Sequence, residues 1–453
     1  MTIRYKRLKE VSTVKNVMPR RSFLKQGLAA GVTGAMAPMV LPSGVLAANG
    51  NPGANDQLVV GVIGTGLMGS AIIQHLTAYD DIRVAAVADV DQPKREHIAG
   101  LIDADDYRDY RDILDRKDVD AVVIATPEHW HGLPAIHAAQ AGKDIYCEKP
   151  ISLTVREGRL MVQAAEKYGR VFQSGTQDRS NLENRAACML IRNGRIGKIE
   201  RVIGCNLSSP EINGMPGHPI PDDIDWDMWC GPVQPHAFHP RFREIWGWVS
   251  FKDFAGNHVT SDGAHGMDQI QWVLDTSETG PVEVWTEGEP FKPSINRGEG
   301  PYVPGDLLSP KVFMRYASGI ILEFGDAPKW GGVFVGEKGR ITIDRSRYTA
   351  DPPELLEEPL EAPEVIVQKS TNHFRNWIDC IHDRNQPVCH AEIGHRSATL
   401  CHLFNIARWV SEVTGETGIK LHWNPAQERF TNSQWGNYFL DRPRRKGFEY
   451  PEI

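Results

Sequence analysis

The sequence predicts an α/β doubly wound parallel sheet followed by an α+β domain with a large, mostly antiparallel open sheet. Three observations carry this. A glycine-rich turn at 64–69 lies between an apolar β-type run and a helical pattern, strand and helix patterns alternate from there to about residue 178, and beyond about 180 the texture changes to successive strands. Strand–helix alternation makes a parallel sheet, and ligands of such sheets bind outside the carboxyl ends of the strands.

The first unit is "LVVGVIGTGLMGSAII" (58–73), strand, turn, helix. Its GxGxxG has the required context. Gly64 permits the tight turn, Gly66 lets backbone approach a pyrophosphate, and Gly69 lets helix pack on strand; the amides of the helix start, at Leu67 and Met68, face the phosphate charge. A second strand, "IRVAAVADV" (82–90), ends at Asp89, 20 residues beyond Gly69. A carboxylate there accepts hydrogen bonds from the adenosine ribose hydroxyls and repels a 2′-phosphate, favouring NAD over NADP, with Lys94 and Arg95 close enough to soften that preference. Further strands are predicted at 120–126, 144–150 and 170–175, with a helix at "LPAIHAAQAG" between the first two. Thr126-Pro127-Glu128-His129-Trp130-His131 and Glu148-Lys149-Pro150 fall at strand carboxyl ends.

From "NLENRAACMLIRNGRIG", a helix ending at glycine, the chain turns to strands at 281–286, 312–316, 319–324, 332–335 and 340–344. Before them runs a long loop, 208–258, rich in Pro, Gly, His and Trp; loops of that length are more often functional than idle. Helical spacing returns at 372–384 and 392–412. The expected domains are a signal at 1–47, a dinucleotide domain at 57–178, a substrate and oligomerisation domain at 179–440 whose helices 372–412 pack back, and a tail at 441–453.

The N-terminus carries "PRRSFLKQGLAAG" (19–31), which has the form of a twin-arginine export signal, with small residues for cleavage after Ala47. Its apolar stretch, 27–41, is interrupted by three glycines and Pro38, too short and weakly apolar for a membrane span of about 20 residues. Residues 1–47 hold eight Lys/Arg and one acid, so removing their +7 takes the chain from −8 to −15. So acidic a surface repels phosphate backbones, which excludes nucleic acid as the expected partner. The seven cysteines form no CxxC pair and their odd number argues against a disulfide framework. Cys380, Cys389, His390, Cys401 and His402 lack metal-knuckle spacing, and His129/His131 lack a third ligand, so no metal is assigned.

The dinucleotide half with "ATPEHWH" and "EKP", followed by a sheet domain, resembles the Gfo/Idh/MocA oxidoreductases. "GTQDRS" (175–180), "IDWDMWCGP" (224–232), "SDGAHGMDQIQW" (261–272) and "CIHDRNQP" (380–387) resemble the exported, twin-arginine members, and the likeness covers nearly all of 57–440. It implies oxidation or reduction of a sugar or polyol carbinol, with NAD lying between the domains. Lys149 matches the EKP lysine that touches the reacting hydroxyl. His265 matches the histidine of a D-x-G-x-H pattern, but Ser261 stands where that pattern has aspartate and Asp262 is one residue late. The resemblance therefore makes Lys149, His265 and Asp262 the catalytic candidates. It places Thr126, Pro127, His129, His131 and Glu148 beside the cofactor, while Gln177 and Arg179 either meet nicotinamide or sugar hydroxyls or lie on the surface. Trp226, Trp229, Trp246 and Trp248 offer indoles either to a sugar face or to a core. A homo-oligomer through the open sheet face is implied by the family alone.

Export of a folded chain suggests that the enzyme carries its dinucleotide across the membrane into the periplasm or beyond and regenerates it in place. Either a second sugar or acceptor reoxidises it, or oxidation is transient and serves a redox-neutral glycosidase or epimerase reaction through a keto-sugar. A sugar-binding protein that has lost its chemistry is the third reading, opposed by the intact Gly64, Gly66, Gly69, Asp89, Lys149 and His265.

Overall fold

The computed structural model describes residues 57–298, 310–357 and 363–453, apart from the side chains of Ile245 and Trp246. The expected signal at 1–47 lies outside the described residues. Strands β1 (Leu58–Ile63), β2 (Ile82–Ala88), β3 (Asp105–Tyr107), β4 (Ala121–Ile124), β5 (Asp144–Cys147) and β6 (Phe172–Ser174) form one parallel sheet in the order β3-β2-β1-β4-β5-β6. β1 and β4 are buried along their whole length, as expected of strands covered on both faces. The order reverses between β1 and β4, which opens a crevice at their carboxyl ends.

The second sheet has nine strands in the order β15-β14-β13-β7-β12-β11-β9-β16-β17, antiparallel except for the parallel pair β7 and β12. These are β7 (Ile199–Cys205), β9 (Glu283–Glu287), β11 (Lys311–Arg315), β12 (Ile321–Gly325), β13 (Gly332–Gly336), β14 (Gly339–Asp344), β15 (Arg347–Asp351), β16 (Leu421–Asn424) and β17 (Arg429–Phe430). A small pair, β8 (Ile212–Asn213) and β10 (Ile295–Asn296), stands apart. Burial alternates along β11, β12 and β13. Val312, Met314, Leu322, Phe324 and Phe334 join residues of the helices Leu182–Arg192, Gly263–Val273 and Ala391–Thr414 in one core. The opposite face presents Ile203, Phe313 and Val333 half-buried.

The loop expected at 208–258 is partly ordered into short helices, Trp226–Cys230 and Ile245–Val249, with a 3-10 turn Pro240–Arg243. An aromatic cluster organises it: Trp226 stacks on Trp229 at 4.6 Å, and Phe238, Phe242, Phe251 and Phe254 close around them. Trp226 and Trp229 are therefore core residues and Trp248 packs partly buried on the same cluster, while the side chain of Trp246 lies outside the described residues.

Two late segments complete the first domain. The helix His373–Asp383 inserts Trp377, Ile378 and Ile381 into the core formed by Leu58, Val60, Ile72 and Val123. The segment 441–453 is a packed strap: Phe448, Tyr450 and Ile453 lie against the core on the other face of the sheet, and Arg444 pairs with the buried Glu157 at 3.0 Å. Trp377 is 0 % exposed, so Trp377→Ala is expected to lower urea-unfolding stability by about 3–5 kcal/mol. Trp435→Ala, at a position 49 % exposed, is expected to change it by about 0.5 kcal/mol or less.

Candidate functional site

The turn after β1 has the shape of a dinucleotide cradle. Gly64 has φ +92°, and a Cβ there would stand 2.7 Å from the Ala125 carbonyl oxygen. A Cβ on Gly69 would stand 1.9 Å from the Gly64 carbonyl, so the helix Leu67–Leu76 sits directly on the turn. A Cβ on Gly66, the residue before that helix, meets nothing within 4 Å; the open space lies where a pyrophosphate would meet the first amides. Leu67 and Met68 are exposed at this rim. Asp89 Oδ2 accepts from the Thr65 amide at 2.8 Å and the Thr65 hydroxyl at 3.0 Å, and Oδ1 accepts from the Asp91 amide at 2.9 Å. That fixes a carboxylate at the end of β2, the place a ribose diol needs one. Lys94 is spent on Asp91 at 3.1 Å and Arg95 on Asp106 at 3.0 Å. The residues present fit NAD.

The loops after β4 and β5 are tied together. The His131 ring lies between the Pro150 carbonyl, 2.7 Å from Nδ1, and the Thr126 carbonyl, 2.9 Å from Nε2; burial holds its pKa down to about 4, so at pH 7 the neutral ring donates to one of the two. His129 Nε2 lies 2.9 Å from the Trp229 carbonyl, its ring packed on Trp229 and Phe254. Both side chains, expected beside the cofactor, are thus committed to holding loops; only their backbone is left to line it. Glu148 accepts from Gln177 Nε2 at 3.0 Å and from the Lys149 amide at 3.2 Å, and burial raises its pKa. Glu128, 3 % exposed, accepts from the Gly256 amide at 3.1 Å and the Thr260 hydroxyl at 2.9 Å; burial pushes its pKa up to about 7 against the pull of Lys149.

Lys149 crosses from the end of the parallel sheet to the other domain, where its Nζ donates to the Ser261 carbonyl at 2.5 Å. Ser261 ends the short helix His258–Ser261, and His265 lies in the first turn of the next, Gly263–Val273, with Asp262 at the junction. The carboxylate one residue late hydrogen-bonds neither Lys149 nor His265 among the described residues, although its charge reaches both. Asp262 Oδ2 is 2.6 Å from His258 Nδ1 and 3.3 Å from Lys329 Nζ. Burial, which would raise its pKa, is overcome by the His258 hydrogen bond and the Lys329 charge, which hold it at about 2. His265 is 4 % exposed; burial first, then the charges of Lys149 and Arg345, keep it neutral. Its Nδ1 faces Asp178 Oδ2 at 3.4 Å, and Asp178 Oδ1 accepts from Arg345 Nε at 3.1 Å.

Lys149, His265, Glu148 and Gln177 are therefore brought together, with Asp262 behind them. Arg179 corrects the expectation of a substrate or surface residue. It is 3 % exposed, its Nε bonds both oxygens of Asp268 at 2.8 and 3.0 Å, and Nη2 donates to Ser277. A guanidinium so buried needs a carboxylate, and it anchors the helix that carries His265. Sequence reasoning passed over Asp178, although its neighbours in "GTQDRS" were singled out, and over Arg345 and Lys329, which lie in turns without a motif. A separate cavity of about 180 Å³, lined by His129, Thr154, Glu157, Arg442, Arg444 and Tyr450, does not include Lys149 or His265.

Comparison with known proteins identifies the family and the fold. Residues 58–176 match the NAD-binding Rossmann-fold model of the Gfo/Idh/MocA oxidoreductase family, and residues 211–450 match that family's C-terminal α/β domain. A 2,7-anhydro-N-acetylneuraminate hydratase of Mediterraneibacter gnavus is 28 % identical over 289 residues, 62 % of this chain and 66 % of that protein. An inositol 2-dehydrogenase of Salmonella typhimurium is 30 % identical over 159 residues, 34 % of this chain and 47 % of that protein. The matches thus span just under two thirds and just under half of these relatives. The WlbA dehydrogenase from Bordetella pertussis, crystallised with NADH and UDP-GlcNAcA, shares the fold with a TM-score of 0.57 at 17 % identity, over 81 % of this chain and 99 % of that one.

The raised pKa of Glu128 has a definite sign. The folded state keeps a proton that the unfolded state releases at about 4.5, so the group's contribution is full below pH 4.5 and lost as pH rises through about 7. Glu128→Gln, whose amide Thr260 can still meet, is expected to gain stability relative to wild type between pH 5 and 8, by up to about 3 kcal/mol at about 1.4 kcal/mol per unit. Urea unfolding of both proteins across that range measures it.

Proposed function

The chain belongs to the Gfo/Idh/MocA oxidoreductase family and carries its NAD-binding Rossmann domain, and on that premise we propose that it oxidises a carbinol of a sugar, polyol or glycoside with an NAD that stays bound and is recycled in place. The observation that carries this is the Lys149 side chain, which spans the domain boundary to Ser261, at the foot of the helix bearing His265. NAD bound on Gly66 and Asp89 would supply the hydride acceptor. Lys149, anchored on one carbonyl, retains N–H bonds for the oxygen of the reacting hydroxyl and opposes negative charge building there. The neutral imidazole of His265 accepts the hydroxyl proton. Gln177 and Glu148 offer hydrogen bonds to neighbouring hydroxyls or to the nicotinamide amide. The occupied Lys94 and Arg95 support NAD over NADP, since neither is free to meet a 2′-phosphate.

The twin-arginine pattern supports export of a folded, cofactor-loaded protein to the periplasm or beyond. The half-buried sheet face around Ile203, Phe313 and Val333 supports a homo-oligomer. A second reading, transient oxidation within a redox-neutral elimination, hydration or epimerisation, is favoured by the 28 % identical hydratase, whose named reaction adds or removes water without net redox. Lys149 and His265 serve either course.

Protein purified without added cofactor, denatured and analysed by mass spectrometry, is expected to release NAD(H) near one per chain; an empty site of weak NAD affinity would refute in-place recycling. Absorbance of bound NADH at 340 nm, followed over a panel of sugars and glycosides, is expected to rise with a substrate. Lys149→Ala and His265→Ala should each slow that rise by on the order of 10²-fold or more. Unchanged rates in both would remove the assignment.

A further inference from the structure

We infer that Asp178 takes the place of the carboxylate missing at Ser261: it is a positioning residue that fixes His265 with its proton on Nδ1 and leaves Nε2 as the proton acceptor. This rests on the proposed role of His265 for its catalytic meaning, but not for its geometry.

Two buried polar atoms carry the inference. His265 Nδ1 and Asp178 Oδ2 have no hydrogen-bond partner among the described residues, and they stand 3.4 Å apart, within ion-pair distance but just beyond a well-formed hydrogen bond. Both side chains are at most 7 % exposed. Leaving both unsatisfied costs about 1–3 kcal/mol for each group. One proton on Nδ1 would satisfy both with a closing of the gap by a few tenths of an ångström, because a carboxylate accepts only. The ring is neutral, so a proton on Nδ1 empties Nε2 of hydrogen and gives it the lone pair.

Arg345 makes the arrangement directional. Its Nε occupies the other oxygen of Asp178 at 3.1 Å, while its guanidinium lies over Trp330 at 5.3 Å. Asp178 stands in the 3-10 turn Gln177–Ser180, just beyond β6, and Arg345 in the turn between β14 and β15. The carboxylate therefore reaches His265 from the parallel-sheet side. In a D-x-G-x-H pattern it would come from the histidine's own segment. Asp262 acts on His265 only through its charge: its hydrogen bonds among the described residues go to His258 and Lys329.

Asp178→Asn tests this with little change of shape. Arg345 Nε must still find an acceptor, so the asparagine carbonyl turns to Arg345 and its NH₂ turns to His265. Nδ1 must then accept, and the proton moves to Nε2. Protein labelled with ¹⁵N only at its 16 histidines would be compared by long-range ¹H–¹⁵N correlation, with His265→Gln identifying the resonance. The expected result is Nδ1–H in wild type and Nε2–H in Asp178→Asn, with unchanged circular dichroism and NAD(H) content. Reduction of bound NAD by any substrate found should fall on the order of 10²- to 10⁴-fold in turnover. A wild-type Nε2–H tautomer overturns the inference, whether or not the variant folds. So does a tautomer that Asp178→Asn leaves unchanged. The tautomer is read on resting protein without substrate. Failure of the functional reading, seen in Lys149→Ala, is therefore separable from failure of this one.

Discussion

A lysine ammonium held in the crevice between a parallel sheet and a second domain needs negative or dipolar partners on every side, and most of this site can be read as the answer to that need. Lys149 meets a carbonyl on the far domain, while Glu128, Glu148, Asp178 and Asp262 all feel its charge. Those carboxylates are kept from collapsing onto it by partners of their own: Thr260 and Gly256 for Glu128, Gln177 for Glu148, Arg345 for Asp178, His258 for Asp262. The lysine is thus attracted broadly and captured by no single acid, which leaves its remaining N–H bonds for a ligand. Burial first, and then the same field, keep the neighbouring imidazole uncharged, since a second cation beside the first is disfavoured in a water-poor crevice.

The dinucleotide half was legible because its signals are local. β1, the glycine turn, the helix after it and Asp89 lie within about 30 residues, and each glycine answers a contact that a Cβ would foul or a space it would fill. Strands buried on both faces show as unbroken apolar runs, and those at 120–126 and 144–150 could be read directly. β3, β15, β16 and β17 could not. They are short or half-exposed, and β3, β15 and β17 each pair only with the strand before them in the chain, at an edge of a sheet where little apolar surface is buried to mark them. The amphipathic stretch at 372–384 marked a helix but not its destination, because periodicity gives a face and not the core that receives it.

The site was legible to a smaller degree. Motif positions gave Lys149 and His265, and spacing showed that the carboxylate was out of register at 261. What spacing could not show is direction. A break between two short helices turns Asp262 back towards His258, four residues earlier, and no pattern announces that. Arg179 and Asp178 are adjacent, yet one is locked into a buried ion pair and the other faces the imidazole. Only the helix carrying Asp268 and His265 decides which is which.

The first domain is closed by segments from far along the chain. Trp377 fills one face of the parallel sheet, and Phe448, Tyr450 and Ile453 cover the other, so a sheet begun at residue 58 is finished by segments more than 300 positions later. On the ribosome such a domain cannot fold first, as N-terminal domains generally do, because two of its walls have not yet been made. Its nucleus must form across long loops, which slows the search and leaves the half-built sheet exposed to aggregation in the meantime. For this molecule, the parallel sheet that carries the dinucleotide cradle gains its two outer walls only after residues 373–453 have been made.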